Sequence, residues 1–183
     1  MNHDGVIDEQ DIVYLGSSFP TLTGGGSLVL KYKGWQLRAS LHFRLGHSII
    51  NKTRHELENM NTGNNQSKNV LHRWRYEGDD TDVPRALWGT NYNSIGSSKF
   101  VEDGSFLKFK DITLTYRVPQ QFCRRMGLMN MVISATAYNL FTFTNYSGQD
   151  PEVGVGSGAY GLAIDSSRTP PARKIAFNLS FSF

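Results

Sequence analysis

The chain closes on Lys174-Ile175-Ala176-Phe177-Asn178-Leu179-Ser180-Phe181-Ser182-Phe183, ten residues in which an apolar set alternates with a small or polar set without a break. Successive side chains of a strand project to opposite faces. Ile175, Phe177, Leu179, Phe181 and Phe183 therefore make one wholly apolar face, and Lys174, Ala176, Asn178, Ser180 and Ser182 make the other. The edge strand of a soluble sandwich can carry the same alternation. Three phenylalanines on one face, with nothing after them to cover it, fit contact with lipid better, and the stretch predicts a strand of an outer-membrane β-barrel.

Composition alone does not reveal this. With 183 residues, 39% hydrophobic and 12% aromatic, the chain passes for one ordinary globular domain. Barrel strands are only half apolar, so they never approach the roughly 20 consecutive apolar residues of a membrane helix. The formal charge of +3 comes from Lys and Arg scattered among acids, with no basic block, which argues against nucleic-acid binding. Cys123 is alone, which excludes an internal disulfide and a cysteine-based zinc site. Met1-Asn2-His3-Asp4-Gly5 lacks the basic and apolar regions of an export signal, so the chain is expected to be the carboxy-terminal piece of a longer protein.

A second stretch, Trp35 to Leu45, alternates equally well, with Trp35, Leu37, Ala39, Leu41, Phe43 and Leu45 on one face. Ser27 to Lys33 precedes it, and Lys33-Gly34 makes a tight reversal, so the pair predicts a hairpin. From Phe106 to Val118 the apolar set switches phase, from Leu107 and Phe109 to Ile112, Leu114, Tyr116 and Val118. That slip near Asp111 predicts a bulge. A strand from Met131 to Phe143 has blurred faces, because Ala135, Ala137 and Leu140-Phe141 do not separate cleanly. The reading is all-β, with about five antiparallel transmembrane strands at 27–33, 35–45, 106–118, 131–143 and 174–183.

Between these strands the connections alternate in length. Residues 46–105 and 144–172 are long, rich in Asn, Gly, Ser and Asp, and without sustained period, whereas 119–129 is short, with room for a helical turn at 120–126. Bacterial barrels keep short turns on the periplasmic side and long loops outside. The last strand then descends, and 1–24, 46–105 and 144–172 are extracellular loops. Tyr32, Trp35, Tyr116, Phe181 and Phe183 fall at the periplasmic boundary, where an aromatic girdle belongs, and Leu179 is placed near the midplane of the lipid face. Five strands do not close a barrel, since the smallest membrane barrels have about 8.

Several clusters are candidates for binding. Asn2, Asp4, Asp8 and Asp11, with Gly5 and Ile7, have the spacing of an EF-hand-like calcium loop; its first ligand would precede Met1, and Asp11 stands where the bidentate Glu usually sits. The same residue types also make ordinary turns. Trp74, Tyr76, Trp88 and Tyr92 sit in the longest loop near Arg73, Arg75, Asp79, Asp80 and Asp82, a mixture suited to stacking on sugar rings or gripping a peptide, and equally to packing within the loop. His42 and Arg44, on the polar face of their strand, read as pore-lining. No nucleophile elbow, phosphate loop or His-Glu-x-x-His is present, and no pair of acids has spacing that implies general acid/base work, so an enzyme is not expected.

Specific blocks then resemble the carboxy-terminal end of the SusC/RagA family of TonB-dependent outer-membrane transporters. They are Asn2 to Asp8, Lys31-Tyr32-Lys33-Gly34-Trp35, Arg73-Trp74 with Thr81-Asp82-Val83-Pro84-Arg85, and the run Phe100-Val101-Glu102-Asp103-Gly104-Ser105-Phe106 through Leu114. Tyr138-Asn139-Leu140-Phe141-Thr142-Phe143-Thr144, followed by Tyr146-Ser147-Gly148-Gln149-Asp150-Pro151-Glu152, is the most specific. The resemblance implies a barrel of about 22 strands with a plugged lumen, in the outer membrane, of which this chain supplies the last five. It implies import of oligosaccharides or peptides with a SusD-like lipoprotein. The plug and the segment that contacts TonB would lie in the amino-terminal part, so this piece alone would not transport. It also implies that Phe181 and Phe183 belong to a signal read by the barrel assembly machinery. No cofactor is expected beyond possible Ca2+. The competing reading is a secreted, calcium-stabilised β-sandwich that binds glycans.

Overall fold

The computed structural model describes residues 4, 5, 8–89, 93, 95–153 and 164–183. It divides into two compact units. A strand unit takes Pro20–Gly46, Gly104–Asn145 and Thr169–Phe183, and a loop unit takes Met1–Phe19, His47–Asp103 and Tyr146–Arg168. In chain order the elements are β1 (Leu22–Tyr32), β2 (Trp35–Leu45), β3 (Ser48–Asn51), α1 (Lys52–Leu57), β4 (Val101–Asp103), β5 (Phe106–Arg117), α2 (Gln120–Arg125), β6 (Asn130–Thr144), β7 (Ile164–Asp165) and β8 (Lys174–Ser182). Among the described residues no helix is long and apolar enough to cross a membrane.

The strand unit is one antiparallel meander in the order β1-β2-β5-β6-β8. Directly opposed residues of an antiparallel pair lie on the same face, so the register can be read as rows. One row runs Leu30, Leu37, Leu114, Ala135, Phe177, and the next runs Leu28, Ala39, Ile112, Ala137, Ile175. Nearer the short turns lies Tyr32, Trp35, Tyr116, Ile133, Leu179. All these rows share a face, and it is bare: Phe177 is 83% exposed and Ile175 64%. The opposite face is polar, with rows such as Lys31, Gln36, Thr115, Ser134, Asn178. There Ser40 Oγ donates to Asp111 Oδ2 at 3.0 Å, and the Thr113 and Thr136 hydroxyls meet at 3.0 Å.

Two irregularities keep the faces in phase. Against β2, the register shifts so that Lys110 is an extra residue between Phe109 and Asp111. Against β6, Asn139 and Leu140 together oppose Lys110. Asn139 has φ 54°, a left-handed conformation that Asn tolerates better than most residues. The bulges return Phe109 and Ile112 to one face although they are three residues apart. The blur at Leu140-Phe141 in the sequence is the same event seen from β6.

The structure departs from the sequence reading in four places. β1 starts at Leu22, five residues before the expected Ser27, so residues 22–24 are strand. Gly24-Gly25-Gly26 has little strand propensity, but it lies opposite Phe43, His42 and Leu41. A Cβ on Gly24 would approach the Phe43 ring to 2.8 Å, so the glycine makes room for the ring. Leu179 shares its row with the aromatics beside the short turn, and Phe177 lies one row further in. Phe183 lies beyond the last strand residue, Ser182. Finally, 46–105 and 144–172 are not irregular throughout. They contribute a small sheet of order β4-β3-β7, in which β3 runs antiparallel to β4 and parallel to β7. Its strands have two to four residues, too few for a period to register.

The mild net charge conceals a strong separation. The strand unit holds eleven of the nineteen Lys and Arg residues and one acid, Asp111; the loop unit holds the other eight cations and fifteen acids. Formal charges of +10 and −7 give the +3 of the chain.

The β1–β2 turn has φ 42° at Lys33 and 87° at Gly34, positive at both central positions as a type I′ hairpin requires. Replacing Gly34 by Val should destabilise by about 1 to 3 kcal/mol, because a β-branched residue is strained there. Lys33→Asn should be neutral or stabilising, since Asn accepts that conformation. Urea unfolding of the two variants in the intact protein checks the contrast.

Candidate functional site

The best-defined constellation of polar side chains lies in the loop unit and starts at α1. Asn51, the last residue of β3, caps the helix by accepting the Arg54 N–H at 2.9 Å on its side-chain oxygen. Arg54 and Glu58 are four apart and so share a helical face, with Nε to Oε1 at 2.9 Å. The same guanidinium reaches Glu102 of β4 at 3.3 Å. The Lys99 ammonium forms an ion pair with the other Glu58 oxygen at 3.0 Å, and the Asn69 amide donates to Oε1 at 2.8 Å. Glu102 also accepts the Ser147 N–H at 2.8 Å and its hydroxyl at 2.7 Å, while the Asn51 amide lies 3.2 Å from both Glu102 and Ser147. Residues from 47–103 and 146–168 are thereby joined within one unit.

Glu58 is nearly enclosed, its side chain 4% exposed. Burial would raise its pKa, but hydrogen bonds from Arg54, Lys99 and Asn69 outweigh it and hold the carboxyl below the usual range. For Glu102 burial is likewise opposed and overcome, by the backbone and hydroxyl of Ser147 and then by Asn51 and Arg54. Burial pulls the Arg54 pKa down, and the two carboxylates more than offset it. Beside this network the buried Tyr146 hydroxyl donates to Asp165 Oδ2 at 2.7 Å, and burial, then that carboxylate, raises the phenol's pKa. A pocket of about 360 Å³ opens here, with Asn51, Thr53, Arg54, Ser147, Asp165 and Arg168 in its wall.

The described residues singled out from sequence are placed as follows. Trp74 is half-buried and donates its backbone N–H to Val83 O at 2.9 Å. Tyr76 and Trp88 are 73% and 76% exposed, and Tyr92 lies outside the described residues. Among the described residues no ring contact links Trp74, Tyr76 and Trp88. In the calcium-like loop, Asp8 caps the short 3-10 helix Glu9–Asp11 by accepting the Gln10 N–H at 2.8 Å. Asp11 reaches back to the Asp8 N–H at 3.3 Å. Asp4 is exposed, and Asn2 lies outside the described residues. Among the described residues no three His, Cys, Asp or Glu side chains are grouped to hold a metal ion. The described Asp8 and Asp11 oxygens face backbone donors, a geometry that fits a turn better than a metal cage.

Sequence reasoning missed Asn51, Arg54, Glu58 and Lys99 as a site. Their partners Glu102 and Ser147 stood inside the blocks that carried the family resemblance, and Arg54-x-x-x-Glu58 was a legible helical pair.

No family model matches the sequence. Among curated proteins, the chain is 27% identical to TonB-dependent receptor P3 of Formosa agariphila over the whole chain, and 29% identical to TonB-dependent receptor P26 of that organism over 98% of it. Among solved structures, it superposes on the RagAB peptide importer in its closed-closed state with a TM-score of 0.75 and 29% identity, over 92% of the chain. The relatives of this chain are TonB-dependent receptors, and its fold matches that of the RagAB importer. The chain spans 18–19% of the length of the two curated relatives and 18% of the importer chain. All of these are receptors or importers rather than enzymes.

The loop network sets a pH dependence. Both carboxyls have folded pKa values below their ordinary 4.5, so their stabilisation is complete above 4.5 and is lost as pH falls through the lower folded values. Limited proteolysis within 47–103 should accelerate only in acid below that point. Glu102→Ala should bring the same susceptibility to neutral pH, at about 1 to 2 kcal/mol, because it removes the acceptor shared by Ser147, Arg54 and the buried Asn51 amide. Equal protease resistance of wild type and variant at pH 7 would contradict this.

Proposed function

We propose that this chain is the carboxy-terminal part of the wall of a large, plugged outer-membrane barrel, and that the barrel imports nutrients in a TonB-dependent manner. The observation that carries the proposal is the continuous, uncovered apolar face spanning all five strands, backed by a polar face in the same register. A sheet with lipid on one side and an aqueous lumen on the other needs that division. An exposed apolar area of this extent on a water-soluble domain would drive association.

The bare face is assigned to lipid, and the face bearing Lys31, Arg38, His42 and Arg44 to the lumen. The Lys33-Gly34 turn and the connection through α2 are assigned to the periplasm. The connections that supply the loop unit, and residues ahead of β1, are assigned to the outside. There a SusD-like lipoprotein and the cargo would meet Trp74, Tyr76, Trp88 and Tyr92. The likeness to the RagAB peptide importer favours peptide over oligosaccharide as cargo. Plug and TonB contact are assigned to the rest of the protein. Phe181 and Phe183, whose rings meet edge to face at 5.6 Å, are assigned to the assembly signal. Calcium at Asn2, Asp4, Asp8 and Asp11 would require Asp8 and Asp11 to leave their turn hydrogen bonds. The secreted sandwich finds no support in the strand order, since consecutive neighbours form a meander without the Greek-key crossing of sandwiches.

In the full-length protein, Phe177→Arg should cost about 2 to 4 kcal/mol and Asn178→Arg much less, because only the first puts a guanidinium into hydrocarbon. Unfolding from vesicles measures both, and equal effects would reverse the assignment of faces. Deleting Phe183 should reduce the heat-modifiable, membrane-extracted form of the protein. Loss of uptake of a defined peptide pool in a strain lacking the gene, restored by the full-length gene, tests import itself.

A further inference from the structure

We propose that the short-turn end of the large sheet is a binding site for the phosphate headgroups of anionic phospholipids. The inference rests on the barrel reading above and adds a ligand that this reading does not contain. Lys31, Lys33, Arg117, Arg124 and Arg125 gather at this end, and none forms an ion pair among the described residues. No Asp or Glu occurs from residue 12 to 55 or from 112 to 149, the two stretches that build this end. Five cations against the single terminal carboxylate of Phe183, which follows Ser182 at the same end, leave a net positive charge, and an anion from outside relieves that.

A built cleft receives it. The Arg117 N–H donates to Gly34 O at 2.8 Å and pins the hairpin turn against the end of β5. Between this turn and the α2 connection lies a groove of about 700 Å³, in whose wall Lys33 and Arg117 stand with the amides of Gln120 and Asn130. Two cations and two side-chain amides suit a phosphate diester, which offers several acceptors and one charge. A second cleft, of about 280 Å³, shares Lys33 and Arg117 and adds Lys31.

The surroundings select a lipid as the source of the phosphate. Trp35 and Tyr116 rings meet at 4.4 Å in the aromatic row that borders the bare face, and the Lys33 ammonium sits 5.3 Å over the Tyr32 ring. Rings at this level with a cation just beyond them form the arrangement of a membrane–water interface. The α2 connection is amphiphilic: Phe122 is 56% exposed, Met126 55% and Met129 71%, and Arg125 lies 5.9 Å over the Phe122 ring. Lys33 also occupies a left-handed position that Asn or Gly fills with less strain. A residue kept there against backbone preference points to a role for its side chain.

The test uses the full-length protein purified in detergent and reconstituted into vesicles of phosphatidylcholine with a minor fraction of phosphatidylglycerol. Native mass spectrometry of the re-extracted protein then counts retained lipid. Wild type should retain phosphatidylglycerol well above its fraction in the vesicle, and the pair Lys33→Gln and Arg117→Gln should lower that enrichment about tenfold. The charge-matched pair Arg173→Gln and Lys174→Gln, at the other end of the sheet, should leave it unchanged. Wild type without enrichment, or enrichment that falls equally in both pairs, would overturn the proposal. Displacement of the lipid by millimolar inorganic phosphate would also overturn it, by assigning the groove to a free anion. Failure of wild type to enter vesicles at all would overturn the barrel reading and this inference with it. Enrichment in a protein that inserts but imports nothing would uphold this inference while refuting import.

Discussion

Register is the constraint on which the rest of the structure depends. A slip of one residue in any strand would turn its apolar set to the polar side, and five strands must agree at once. Agreement is reached row by row, from Tyr32 through Trp35 and Tyr116 to Ile133 and Leu179. Three devices hold it. The two-residue turn at Lys33-Gly34 fixes β1 on β2, the paired irregularities at Lys110 and Asn139 reset the phase of β5 and β6, and Gly24 gives the Phe43 ring its space. Each looks like a local imperfection, and each is what allows the bare face to be continuous.

The loop unit solves a different problem. Its apolar core is small, with Ile49, Val70, Val83 and Phe100 among its buried side chains. Fifteen of the chain's acids fall within it. A buried carboxylate without partners is costly: Glu58 is met by Arg54 and Asn69 at Oε1 and by the Lys99 ammonium at Oε2, and the partly buried Glu102 by Asn51, Arg54 and Ser147. Such a network contributes definition more than net stability, because a carboxylate with directional partners accepts only one arrangement of the strands and turns that bring them.

The strand unit was largely legible in the sequence because its physics is periodic. Trp35 to Leu45 and Lys174 to Ser182 announce their faces without help, and the phase slip at Asp111 announced a bulge. The start of β1 was hidden because glycine carries no face to alternate. The β3, β4 and β7 pieces were hidden because so few residues contain no period, and their pairing joins Ile50 to Val101 and Ile164, far away in sequence. Of the polar network only the Arg54 and Glu58 spacing was local. Its other partners meet through the tertiary fold. The family-like blocks around Glu102 and Ser147 were recognisable as patterns, and the structure supplies their physical content: one carboxylate accepts both the backbone and the hydroxyl of the other block.

The pairing of Arg44 with Phe106 carries a consequence for how the chain acquires this structure. β1 with β2, and β5 with β6, are hairpins closed by short connections, and each can form soon after its residues are available. Joining the two requires everything between Leu45 and Ser105 to be looped out first, which makes it the step with the largest entropic barrier. The chain is thus kinetically a pair of hairpins waiting to dock, followed by a single edge strand. The β5–β6 hairpin by itself sets Glu102 beside Ser147, whereas Asn51 and Arg54 reach Glu102 only once the long loop that separates them in sequence has closed.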